Sequence, residues 1–182
     1  MTVLQTVAFI LFSSIFTSGL AFAQTAAWDN SPKASELAAQ AARLKPLLDQ
    51  LKPAEWVARG ASDTYVKQWN SAYQELEYLT ASAAQLDKQP HRLTAALDTY
   101  FRLQALEWHF ESLIEGVRKY QNPAVGDLLL GALRGNSGNR DGLREYILDL
   151  ANQKEQEFTI IDQEAQRCRV QLNQIPTVRK SK

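Results

Sequence analysis

Apolar side chains recur at helical spacing along almost the whole chain, and no stretch alternates as a half-buried strand would. The clearest run follows Ser62, with apolar residues separated by four and three positions in turn. Its members are Tyr65, Trp69, Ala72, Leu76, Leu79, Ala83 and Leu86. Such heptad spacing forms the seam along which one helix packs against another. We therefore predict a long helix that is capped by Ser62 or Asp63 and ends before Pro90.

The same seam spacing continues in two later segments. A helix over residues 91–120 buries Ala96, Leu103, Leu106, Phe110, Leu113, Val117 and Tyr120, with Thr99 at the one polar seam position. Pro123 then opens a short helix that ends near Arg134. A last helix over residues 139–175 carries Leu143, Ile147, Leu150, Glu157, Ile161, Ala165, Cys168, Leu172 and Ile175, if Lys154 takes one seam position.

Proline and glycine divide the first part of the chain. A helix is predicted from Ser31 to about Leu51, with Pro46 kinking or restarting it because proline removes a helical hydrogen bond. Pro53 opens a further short turn that ends at Gly60. The predicted fold is all-α: an antiparallel bundle of three long helices plus two shorter ones, with left-handed, coiled-coil-like packing.

The first 23 residues carry no charged side chain and include the apolar run VAFILFSSIF. Ala21 and Ala23 form an A-x-A cleavage signal, so we expect a secretory signal peptide over residues 1–23 that is removed before Gln24. An uncleaved anchor is the alternative, because the segment before the apolar run lacks Lys and Arg. Residues 24–176 then form a single bundle domain, and residues 177–182 a short basic disordered tail. The protein is expected to be exported, periplasmic or extracellular, without a stable membrane span after cleavage.

Charge and cysteine content exclude several classes of function. Lys and Arg number 20 and Asp and Glu number 20, so the chain lacks the basic footprint of a nucleic-acid-binding protein. The single cysteine, Cys168, cannot form an internal disulfide, and its seam position predicts burial in the core.

The segment GALRGNSGNRDGLREYI, residues 131–147, has four glycines before a helical pattern. It lacks the Lys-Ser/Thr pair and the preceding strand of a phosphate-binding loop. We therefore interpret it as a turn between helices, ending one at Gly135 and starting the next at Asn139. An anion bound there would use Arg134 or Arg140.

Few residues in the sequence are candidates for metal binding or catalysis. Glu107, His109, Glu111 and Glu115 lie close together, but the Glu-x-His spacing differs from the Glu-x-x-His of carboxylate metal bundles. We expect a solvated acidic face beside a partly buried His109, with no metal site and no cofactor. No nucleophile with a positioned base is recognisable, so an enzyme is not expected.

Two aromatic residues give the helix over residues 91–120 a second apolar side. Phe101 and Trp108 are seven residues apart, on a face well away from the seam. Either another helix covers this face, or it is where a partner docks. Tyr73 and Tyr78 flank the seam of the preceding helix and could contribute to such docking.

These patterns favour a non-enzymatic exported bundle that works through protein contact, as a scaffold, chaperone-like factor or envelope accessory, with a protein partner or a second copy. The alternative is a bundle that binds a small ligand or a metal in an internal pocket, with Trp or Tyr walls, His109 and a glutamate.

Overall fold

Helices account for nearly all of residues 31–174, the part of the chain that the computed structural model describes. They are α1 (Ser31–Ala42), α2 (Lys45–Leu48), α3 (Pro53–Ala58), α4 (Thr64–Lys88), α5 (Leu93–Tyr120) and α6 (Pro123–Gln174). No strand occurs within these residues, so the all-α class is confirmed. The predicted signal peptide and basic tail lie outside the described residues.

The breaks between helices fall where proline and glycine predicted them. The first helix is interrupted just before Pro46, and Pro53 opens α3. Gly60 ends the α3 segment with a φ of 94°, in the left-handed region that favours glycine. Pro123 opens α6, where the Asn122 side-chain oxygen accepts a hydrogen bond of 3.0 Å from the backbone N–H of Ala124.

The heptad seams of α4 and α5 form the centre of the core. α4 packs against α1 and α5, α5 packs against α4 and α6, and α1 also contacts α6. Ser112 of α5 donates to Gln68 early in α4 at 2.7 Å, whereas Arg102, earlier in α5, reaches Glu75, later in α4, at 3.3 Å. The predicted seam residues of both helices are buried or packed against the core.

A hydrogen-bonded cluster closes one end of the bundle. The Trp56 indole N–H donates to the Gln121 side-chain oxygen at 3.1 Å, and the Gln121 amide donates to the Gln50 carbonyl at 2.9 Å. The Trp56 ring meets Tyr65 edge-on at 5.7 Å. A Cβ on Gly116 would lie only 2.8 Å from both rings, so glycine allows this close approach. The short helices α2 and α3 are thereby attached to the junction of α5 and α6.

The predicted turn in the glycine-rich segment is wrong, because α6 continues through it without a break. Helix 123–134 and helix 139–175 of the prediction are one helix of 52 residues. Its buried residues Leu129, Leu133, Leu143 and Leu150 pack on the core before and after the glycines. This tertiary packing on both sides outweighs the cost of about 1 kcal/mol that each interior glycine imposes relative to alanine.

α6 is much longer than the helix it packs against. α5 has 28 residues and spans about 42 Å, whereas the 52 residues of α6 span about 78 Å. α6 meets the end of α5 at Asp127, which pairs with Arg118, and passes the start of α5 near Leu93 and Ala151. Residues 154–174, here named the α6 extension, are exposed apart from the half-buried Ala165.

The prediction that Cys168 is buried is therefore also wrong, since its side chain is exposed on the α6 extension. The seam spacing on which it rested is present. Among the described helices none lies beside it, because α4 and α5 are joined by the turn at residues 89–92 and do not reach that far.

Gly135 lies inside α6 with nothing within 4 Å of an added Cβ. We expect Gly135→Ala to raise the free energy of unfolding by about 0.5–1 kcal/mol, because alanine loses less backbone entropy in a helix. Urea denaturation measures this change. Gly126→Ala is the matched control, since its Cβ would lie 2.7 Å from Arg118 Cγ and should bring no gain. Destabilisation by Gly135→Ala would contradict an uninterrupted helix.

Candidate contact surfaces

The outer face of α5 carries two large aromatic side chains that no described helix covers. Phe101 is 59% exposed and Trp108 is 64% exposed, on the side of α5 that faces away from its seam. Phe101 meets the ring of Tyr100 edge-on at 5.7 Å. The sequence was compatible with a face covered by another helix or with an open face, and in the structure no described helix covers it. Aromatic side chains in such positions are the usual anchors of protein contacts.

Tyr78 of α4 is linked to the neighbouring part of α5 through Arg102. The Arg102 guanidinium lies 4.8 Å from the centre of the Tyr78 ring and also approaches Asp98 at 3.6 Å. Half of the Tyr78 side chain is exposed. Tyr78 is therefore held beside Arg102 across the contact between α4 and α5.

Tyr73 has a structural role that separates it from the other predicted contact residues. Its hydroxyl donates to the Asp49 carboxylate, and its ring lies edge-on to Trp69 at 4.8 Å. Burial, together with the hydrogen bond to Asp49, raises the pKa of Tyr73 to about 12. Tyr73 therefore stays protonated and joins α4 to the α2 segment.

Arg140, a predicted anion ligand, is engaged within the protein. Its guanidinium lies 3.1 Å from a Glu107 carboxylate oxygen and 3.5 Å from Asp141. Glu107 is only 9% exposed, so the expectation of a fully solvated acidic face is wrong at this position. Burial raises the pKa of Glu107, against the opposing effect of Arg140. The charged form of Glu107 thus depends on Arg140 to offset the cost of its burial.

The other two predicted ligand residues do not form a recognisable site with Arg140. Arg134 is exposed on α6, and His109 is partly buried on α5. Because the helix is continuous here, the backbone N–H groups of the glycine-rich segment point along α6 and are not gathered in a loop. The arrangement therefore offers no helix N-terminus at which an anion could bind.

The α6 extension carries five large apolar side chains that are each more than half exposed. Phe158 is 75% exposed, and four other large apolar residues follow it, namely Ile160, Ile161, Val170 and Leu172. Leu93 of α5 and Phe158 line an open cleft of about 520 Å³ where the extension leaves the bundle. Exposed apolar surface of this extent is typical of contact sites.

A shallow groove runs between the end of α1 and the middle of α4. It has a volume of about 410 Å³, and its walls are largely apolar. The lining includes Ala42, Lys45, Tyr73, Leu76, Thr80 and Ala84.

Neither a metal cluster nor a membrane span is found in the described region. Residues 31–174 contain no group of three or more His, Cys, Asp or Glu side chains placed to hold a metal ion. None of the helices from α1 to α6 combines the length and the apolar character needed to cross a membrane.

Sequence reasoning missed both the α6 extension as a surface and the Glu107–Arg140 ion pair. The α6 extension would have followed from the length of one continuous helix after Pro123, but the glycines of residues 131–147 suggested a break. The second had no sequence signal, because residues 33 positions apart meet only through the packing of α5 on α6.

The chain matches no protein-family model, no curated protein and no solved structure.

Proposed function

We propose that this protein is a non-enzymatic, exported contact protein that presents apolar helical surfaces to other protein chains. The observation that carries this proposal is the α6 extension, whose large apolar residues have no covering helix among the described elements. An isolated helix in water gains little stability, and most helical stability comes from packing an apolar face. A partner that covers the extension would supply that packing.

The outer face of α5 supports the same proposal from another part of the molecule. Phe101 and Trp108 each expose more than half of their surface, although the seam residues from Ala96 to Val117 on the same helix are buried. Aromatic anchors contribute much of the energy of protein interfaces. Export would follow from the predicted signal peptide and would place both surfaces outside the cytoplasm, where a scaffold, chaperone-like or envelope accessory role would operate.

Site-specific photo-crosslinking in producing cells tests the contact function. A photoreactive phenylalanine analogue is placed at Phe158 or Trp108, and as controls at Gln163 on the same extension or at the exposed Lys67 of α4. We expect adducts of higher mass from positions 158 and 108, since these side chains lie on the proposed contact surfaces. Absence of adducts at both, or equal labelling at all four positions, would contradict the proposal.

Binding of a small apolar ligand is the second candidate, favoured by the groove between α1 and α4. A ligand that binds only the folded state raises the free energy of unfolding by about 2.7 kcal/mol at a hundred times its dissociation constant. Thermal melting with small apolar probes and with divalent metal ions would reveal such binding. An unchanged midpoint across both sets would leave the contact function as the sole proposal.

A further inference from the structure

The apolar residues of the α6 extension are arranged for pairing with one other helix. Phe158, Ile161, Ala165, Cys168 and Leu172 follow one another at intervals of three, four, three and four residues. This is the spacing of a two-helix seam. The extension is about 30 Å long at 1.5 Å per residue, long enough for several layers of interlocking side chains. Its partner is thus expected to be another amphipathic helix.

The charges along the extension identify which helix would fit. Its first half contains four acidic residues, Glu155, Glu157, Asp162 and Glu164, and one base, Lys154, which pairs with Glu157 at 2.8 Å. Its second half contains Arg167 and Arg169 and no acidic residue. An identical helix that runs in the opposite direction would therefore place an acidic half against a basic half at both ends.

Two of these charges are available for pairing between chains. Arg167 is engaged with Glu164 on the same helix at 2.7 Å. Asp162 and Arg169 form no ion pair with any residue of the described chain. Both directly follow seam positions, namely Ile161 and Cys168, so they flank the apolar seam where charges set the orientation of paired helices.

We propose that the α6 extension pairs with the α6 extension of a second copy of this chain, with the two helices antiparallel. The proposal rests on the contact function proposed above and names its partner. Ala165 then faces Cys168 of the second copy, and Ile161 faces Leu172. In this register Asp162 of each copy lies beside Arg169 of the other copy, so the contact occurs on both sides of the two-fold axis. The reason is that Asp162 and Arg169 directly follow equivalent seam residues, Ile161 and Cys168, and residues in this position face each other when two helices pair antiparallel. Such an interface is self-complementary and closes at a dimer.

The parallel arrangement is less favourable for the same charges. A parallel pair in register brings Glu157 towards Asp162 of the second copy and Glu164 towards Arg169, so repulsion on each side offsets attraction. It also keeps the two acidic halves adjacent. The antiparallel pair has the attraction between Asp162 and Arg169 without the repulsion between Glu157 and Asp162, which is why the charge pattern assigns this direction.

Charge exchange on the purified full chain tests the pairing by sedimentation velocity over a range of concentrations. We expect a reversible dimer and a rise in its dissociation constant of roughly ten-fold or more for Asp162→Arg, because two attractive pairs become repulsive. The double variant Asp162→Arg/Arg169→Asp should return the dissociation constant to within about three-fold of the original. Gln163→Arg, on the outer side of the extension, should leave it unchanged.

Three other outcomes would contradict the antiparallel pairing. Tighter association of Asp162→Arg would indicate a parallel pair, because Glu157 would then gain an opposite charge. A dimer insensitive to both Asp162→Arg and Ile161→Asp would place the interface elsewhere. A wild-type monomer at all concentrations would mean that another protein, the N-terminal segment of the same chain or a lipid surface covers the extension.

The crosslinking experiment separates these failures from failure of the contact function. Adducts at position 158 with twice the mass of the chain support both proposals. A purified monomer that gives adducts of a different mass contradicts self-pairing and leaves the contact function standing. A monomer without adducts at positions 158 and 108 contradicts both.

Discussion

Replacement of Trp56 by alanine is expected to lower the free energy of unfolding by about 3–5 kcal/mol, the usual cost of removing a large buried aromatic side chain. Trp56 is fully buried, contacts Tyr65 edge-on and donates its indole N–H to Gln121 at 3.1 Å. The substitution leaves a cavity where α3 meets the junction of α5 and α6. Since a domain has only about 5–15 kcal/mol of total stability, this loss brings the variant near its unfolding threshold. Urea denaturation followed by circular dichroism measures it.

Trp108→Ala is the matched control for this experiment. It removes the same side chain from the same kind of element, but Trp108 is mostly exposed, so we expect a change within about 0.5 kcal/mol. The same variant should nevertheless weaken any partner contact through α5. An equal loss of stability for the two tryptophan variants would show that the outer face of α5 is covered by the chain itself.

Replacement of Arg140 by alanine is expected to destabilise the folded state by about 1–3 kcal/mol at pH 7, because it leaves a buried carboxylate without its ionic partner. Glu107 is buried on α5 and approaches Arg140 at 3.1 Å. Burial already raises the pKa of Glu107, and the loss of Arg140 raises it further. Urea denaturation at several pH values measures the deficit relative to the wild type.

The raised pKa of Glu107 determines how the loss of stability in Arg140→Ala changes with pH. A raised pKa means that the folded state binds the proton of Glu107 more tightly than the unfolded state. The neutral carboxyl is tolerated below the unfolded pKa, at about pH 4, and the penalty grows as pH rises through the raised pKa of the folded state. The deficit of Arg140→Ala is therefore expected to be small near pH 4 and larger at neutral pH.

Two further variants check the assignment of this effect to Glu107. Arg134→Ala removes an exposed arginine from the same helix and should change stability by less than about 0.5 kcal/mol. Glu107→Gln in the Arg140→Ala background should remove most of the pH dependence. A deficit that is the same at pH 4 and pH 7 would contradict a role for the buried carboxylate.

The sequence was sufficient to predict most helices and the residues that form the core. The predicted helix from Ser62 or Asp63 to Pro90 corresponds to α4, and the helix over residues 91–120 corresponds to α5. Their seam residues are buried, apart from Tyr65, Trp69 and Tyr120, which are partly buried against the core. Local rules act within a few residues, so heptad spacing, proline and Gly60 report directly on helix faces and ends. The exposure of Phe101 and Trp108 did not follow from the sequence, which left open whether another helix covers the face opposite the seam.

The antiparallel order of the whole bundle and its left-handed packing stay predictions, as do export and signal cleavage. The glycine-rich segment was misread because glycine content alone does not end a helix. Leu129 and Leu150, on the two sides of that segment, are both fully buried, and this shared packing keeps α6 continuous.

By itself, the sequence determined the helical class, the breaks at Pro46, Pro53 and Pro123, and the apolar faces, because each depends on neighbours along the chain. Only the tertiary structure decided which parts of those faces are covered. Cys168 has the same seam spacing as Leu150, yet one is exposed and the other is buried. The physical reason is that burial requires a second element alongside, and α4 and α5 end before the α6 extension begins. The burial of Glu107 beside Arg140 has the same origin, since it depends on the register between two helices.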